Sequence, residues 1–132
     1  MSGHRFVLLL GSGTDHEDKL QQARLHLQEM GSIVSQSALV HAPSVLPGDG
    51  HRYVNQAVLI ETASSRDVVA VTLKSLETAL GRRADDEVCQ IDIDLVCECD
   101  DAGAVIWHNP VKLEHPLFRD LVQQALSGGM RP

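Results

Sequence analysis

Between residues 6 and 10 the chain reads FVLLL, an unbroken apolar run stopped by Gly-Ser-Gly at 11–13. Residues 5–10 are therefore expected as a central strand and Gly11-Ser12-Gly13 as the tight turn that ends it. From Thr14 or Asp15 the apolar positions Leu20, Ala23, Leu27 and Met30 recur at helical spacing, with acids in the first turn and Gly31 as the stop. Residues 33–40 form a second strand candidate, and Pro43, Pro47, Gly48 and Gly50 mark 41–52 as a loop. Residues 53–61 alternate as a third strand. Ser64 or Ser65 can then cap a helix whose apolar side is read as Val68, Val71, Leu73, Leu76 and Leu80, with Gly81 as its stop.

After a polar loop at 82–87 comes QIDIDLV, residues 90–96, where Ile91, Ile93 and Leu95 alternate with Asp92 and Asp94. A period of two places both carboxylates on one face of a strand. Asp-Asp-Ala-Gly at 100–103 turns the chain into a hairpin strand at 104–107, and 116–126 reads as a short closing helix, with SGGMRP expected to fray. The order gives an α+β fold: a ferredoxin-like βαββαβ sandwich, two helices on one face of an antiparallel sheet, with an extra hairpin strand and a short C-terminal helix. At 132 residues the chain is expected to be a single domain over 1–132.

Composition narrows the partners. A net charge of −7 and only four aromatic residues, Phe6, Tyr53, Trp107 and Phe118, argue against nucleic acid as a ligand. The apolar runs are too short to span a bilayer and the N-terminal stretch lacks signal-peptide features, so a cytoplasmic protein is expected. Nothing marks an obligatory protein partner. Cys89, Cys97 and Cys99 lack CxxC spacing and read as buried or half-buried thiols, and the seven histidines and three cysteines show no local ligand spacing for a metal-sensing domain.

Residues two apart on a strand lie roughly 6.5 Å apart, so carboxylates at 92 and 94 can hold magnesium, which takes one or two protein acids and completes its shell with water and phosphate oxygens. The same spacing also suits a solvated face or a guarded sheet edge. Arg82 and Arg83 just before this strand, and Lys112 and His115 after the hairpin, add cations that can bind phosphate. Together they form the equipment of phosphoryl transfer. Gly11-Ser12-Gly13 has no Gly-Lys-Ser/Thr after it and is no phosphate loop.

The stretches LLLGSG (8–13), APSVLPGDGHRYVNQAVLIET (42–62), LETALGR (76–82), IDIDLV (91–96) and LEHP (113–116) resemble, in order and spacing, 6-hydroxymethyl-7,8-dihydropterin pyrophosphokinase of the folate pathway. The resemblance implies a ferredoxin-like core that binds ATP with two Mg2+ ions and transfers diphosphate to the pterin hydroxymethyl group, releasing AMP. It implies that Asp92 and Asp94 bind metal, that Tyr53 and Asn55 line the pterin pocket, and that Pro43 and Val45 lie in the loop covering it. Arg82 matches a phosphate-contacting arginine braced by Glu77, His115 matches a nucleotide-contacting histidine, and Lys112 stands where it can reach the nucleotide. Departures from the family pattern fall at Gly13 in place of asparagine, at Glu114 before His115, and at 83–90, which is short, lacks tryptophan and holds Asp85, Asp86 and Glu87. A non-catalytic pterin- or nucleotide-binding module with a degenerate catalytic loop is the alternative function.

Overall fold

The computed structural model describes residues 3–44, 48–86 and 88–128. Among them, six strands form one antiparallel sheet in the order β2-β4-β1-β5-β6, with β3 also paired to β4. The strands are β1 (His4–Gly13), β2 (Ser32–Gln36), β3 (Val40–Pro43), β4 (Arg52–Thr62), β5 (Asp92–Cys99) and β6 (Val105–His108). The helices are α1 (Asp18–Met30), α2 (Arg66–Ala79) and α3 (Pro116–Leu126). The expected ferredoxin-like sandwich is present, with β1 at its centre.

β1 lies between β4 and β5, and helices cover its side chains on both faces of the sheet. Phe6, Leu8 and Leu10 pack with Leu20, Ala23 and Leu27 of α1 and Val69, Leu73 and Leu76 of α2. Val7 and Leu9 point the other way and pack with Leu121, Val122 and Ala125 of α3. The third helix thus covers the sheet face opposite the helix pair, leaving the end of that face nearest Gly11 open.

Several local expectations are corrected. Gly11-Ser12-Gly13 is strand rather than turn: β1 runs to Gly13, in register with Asn55, Val54 and Tyr53 of β4. These glycines serve close approach, since a Cβ on Gly13 would meet Val88 Cγ1, and the Gly13 N–H donates to the Cys89 carbonyl at 3.0 Å. Buried Ser12 donates to the Gln90 carbonyl at 2.6 Å. The strand expected at 33–40 breaks after Gln36, because Ser37 replaces a ladder bond with its hydroxyl, which accepts the Ala57 N–H at 2.8 Å. The chain rejoins the edge as β3, so part of the expected 41–52 loop is strand.

On α2 the buried stripe is Val69, Leu73 and Leu76, with Glu77 beside it, while Val68 and Val71 are exposed because they lie off that stripe. Ser65 occupies the N-cap position without a side-chain cap bond. Cys97 and Cys99 are buried and Cys89 half-buried, all free thiols as expected. Val45, Glu87 and most of the closing SGGMRP, beyond Gly128, lie outside the described residues.

Candidate active site

Asn55 on β4, Gly11 on β1 and Asp92 on β5 stand abreast, because Gly11 is in register with Asn55 on one side and Asp92 on the other. The central residue has no side chain, so the floor between the amide and the carboxylate is backbone alone. Over it lies a cleft of about 240 Å³ lined by Tyr53, Asn55, Arg82, Asp92, Lys112 and Phe118, with Pro43, Ser44 and Cys89 at its margins. The rings of Tyr53 and Phe118 give it apolar walls for a planar ligand. Burial raises the pKa of the Tyr53 hydroxyl, with a backbone hydrogen bond from Cys89 opposing. The hydroxyl donates to Asp49 at 3.4 Å.

Alternation along β5 sends Ile91 and Ile93 into the core with α1 and α2 and turns Asp92 and Asp94 to the cleft side, as the sequence pattern requires. The acids are close enough to share a hydrogen bond, and their environments drive them apart. Asp94 is pushed up to about 6 by burial first and by Asp92 next. Asp92 is held below its ordinary value: burial works against ionisation there, and Asp94, Lys112 and Arg82 together outweigh it.

Cations surround the pair. Arg82 Nη1 lies 2.9 Å from Asp92 Oδ1, and Lys112 Nζ lies 2.9 Å from Asp94 Oδ2 and 3.6 Å from Asp92 Oδ2. Burial alone would lower the Lys112 pKa, but the two aspartates raise it. Arg82 is anchored from behind by buried Glu77, whose Oε2 lies 2.9 Å from Arg82 Nη1 and accepts the Ile93 N–H at 2.7 Å.

Beyond Asp94, β5 is left uncovered because β6 pairs only with residues 97–99. A second cleft of about 320 Å³ opens there, lined by Arg66, Lys74, Asp94, Leu95, Trp107 and Asn109 among others. Asp92 therefore belongs to one cleft and Asp94 to the other.

Of the residues singled out in the sequence, Pro43, Tyr53, Asn55, Arg82, Asp92 and Lys112 meet in the first cleft, and Asp94 adjoins it. His115 lines neither. It caps α3, its Nδ1 accepting the Leu117 N–H at 3.1 Å, and its ring packs 5.5 Å from that of Phe118. Asp85 is exposed, Asp86 accepts the Arg83 N–H, and both lie outside the cleft linings. Sequence reasoning missed Phe118, Cys89 and Trp107 as lining residues. The i, i+3/i+4 apolar pattern of α3 was the only signal for Phe118.

Paired carboxylates ringed by cations, between two clefts on a ferredoxin-like sheet, define an α+β protein equipped to bring an anionic ligand beside a planar one. The model of the 7,8-dihydro-6-hydroxymethylpterin-pyrophosphokinase family matches residues 7–122, and the chain belongs to that family, the pyrophosphokinases of folate biosynthesis. No individual curated protein matches the chain.

Proposed function

We propose that this chain is a Mg2+-dependent diphosphokinase that transfers the terminal diphosphate of ATP to the hydroxymethyl group of 6-hydroxymethyl-7,8-dihydropterin, releasing AMP in the cytoplasm. The observation that carries this reading is the placement of Asp92 and Asp94, neighbours on β5 that open into adjoining clefts.

On this reading the pterin lies over Gly11 between Tyr53 and Phe118. The Asn55 amide offers both a donor and an acceptor to the ring edge. ATP extends from the cleft of Lys74 and Trp107 toward Asp92. The donor set fits magnesium: two adjacent carboxylates, one of them pushed toward protonation by burial and then by the other, gain from a shared divalent cation. Asp92 and Asp94 would hold the ions, two in number on this reading. Bound there, magnesium supplies neutralisation of the polyphosphate charge and alignment of its phosphorus. Arg82, fixed by Glu77, would meet the transferring phosphates. The hydroxymethyl oxygen then bonds to the β-phosphorus, the bond from that phosphorus to the α–β bridging oxygen breaks, and the hydroxyl proton leaves to solvent.

A non-catalytic pterin- or nucleotide-binding module is the second reading. It is favoured by one observation: among the described residues of the short 83–90 segment, only Cys89 lines the first cleft. The deciding experiment measures AMP from ATP, pterin and Mg2+ beside calorimetry for each ligand. Turnover that disappears in Asp92→Ala supports the enzyme, and pterin binding without AMP supports the module.

A further inference from the structure

Among the described cations, Lys112 alone is paired with both aspartates of β5. Its Nζ lies 2.9 Å from Asp94 and 3.6 Å from Asp92, whereas Arg82 pairs with Asp92 and Lys74 reaches Asp94 at 3.8 Å. A magnesium ion bonded to these oxygens sits about 2.1 Å from each. That position and the ammonium at 2.9 Å exclude one another, by contact and by like charge. The same lysine therefore stands where the cation of the proposed function has to enter.

We propose that Lys112 is a built-in counter-ion that occupies the Asp92–Asp94 site in the ligand-free protein and moves aside when metal and nucleotide arrive together. This rests on the reading of Asp92 and Asp94 as metal ligands.

Its surroundings fit a movable group. Arg82 is held by Glu77 through both its guanidinium and its backbone N–H, so it cannot leave without breaking buried contacts. Lys112 starts a 3-10 turn, Lys112–Glu114, after the short edge strand β6, and its backbone is tied locally, its N–H facing Asn109 Oδ1 at 3.3 Å. Its side chain is 34% exposed, which gives the ammonium a path to solvent, and the Phe118 ring lies 5.6 Å from it. Displaced from the acids, the ammonium remains within reach of arriving phosphate oxygens. The consequence is an order of events: free divalent metal competes with Lys112, while a metal–nucleotide complex supplies phosphates to receive it.

The test titrates the whole chain with Mn2+ alone, followed by electron paramagnetic resonance, in wild type, Lys112→Met, Lys112→Arg and Lys74→Met, each checked for folding by circular dichroism. Lys112→Met should bind Mn2+ on the order of tenfold tighter, the equivalent of losing one charge-assisted competitor. Lys112→Arg and Lys74→Met should stay within about twofold of wild type, since both leave a cation on the pair. Equal or weaker Mn2+ binding by folded Lys112→Met, with measurable binding by wild type, overturns the counter-ion role and leaves the metal site standing. Absence of Mn2+ binding in every variant, with or without ATP, overturns the metal-site reading and this inference with it.

Discussion

Glu77 and Arg82 grip each other twice. The guanidinium Nη1 lies 2.9 Å from Glu77 Oε2, and the Arg82 backbone N–H donates to the Glu77 carbonyl at 3.0 Å. The carboxylate that sets this arginine also accepts the Ile93 N–H, between the two aspartates. Helix end, cation and acidic strand are thus tied together through one carboxylate. Glu77→Ala should cost about 2–4 kcal/mol in urea unfolding, because it leaves the buried Ile93 N–H without its acceptor and removes one of the two carboxylates that hold Arg82. Arg82→Ala should cost less stability and lower kcat more than it raises the pterin KM. Equal losses in both variants would show that Arg82 acts only as a structural tie.

Gly11 makes the cleft floor bare. A Cβ there would lie 3.2 Å from Asn55 Oδ1, so Gly11→Ala crowds the amide to which the proposed function gives the pterin edge. Calorimetry should show pterin affinity falling on the order of tenfold, a loss of about 1.4 kcal/mol, with ATP affinity unchanged. A matching fall for ATP would show that the two ligands do not divide at this floor.

Asp94 carries a pH signature. Burial and Asp92 push its carboxyl up to about 6 in the fold from the ordinary 3.8, so between these values the folded chain holds a proton that the unfolded chain releases. The stability tied to that proton is complete below about 3.8 and declines as pH rises through about 6. Asp92 has the opposite sign: its folded value lies below the ordinary one, so its contribution is lost only as pH falls under that range. Asp94→Asn should flatten the slope between these limits and stabilise the apo protein by on the order of 2 kcal/mol at pH 7, while abolishing turnover. Chemical denaturation across pH checks it, and an unchanged slope would refute the assignment.

Trp107 is the only tryptophan of the chain, lines the second cleft and stacks 4.6 Å under the Arg66 guanidinium. ATP with Mg2+ should therefore alter its fluorescence, and Lys74→Met should move the titration midpoint to higher ATP. A signal that follows pterin instead would reverse the assignment of the two clefts.

Periodicity made much of this legible. FVLLL has to be buried on both faces, and IDIDLV has to divide its acids from its isoleucines, whatever surrounds them. What escaped was decided by neighbours. Pro43 reads as loop, yet an edge strand tolerates a residue without an N–H, and β3 ends there. Gly11 and Gly13 read as turn formers, but they are used for their size. Phe118 reaches the cleft only because α3 packs on the far face of the sheet, and no local pattern states which helix covers which face. The motif that singled out His115 gave no sign that its ring also caps α3.

Opposite β1, strand β5 contains one surplus residue: Val7 faces Cys97 while Leu8 faces Leu95, leaving Val96 without a counterpart. Past that bulge the alternation changes phase, and Glu98 comes into register with Phe6 on the α2 side, paired with Arg66 and His4. With the same residues and no bulge, unbroken alternation would put Glu98 in file with Asp92 and Asp94, adding a third negative charge to that face. The extra residue works as an insulator, holding Glu98 with Arg66 and His4 and away from the two aspartates.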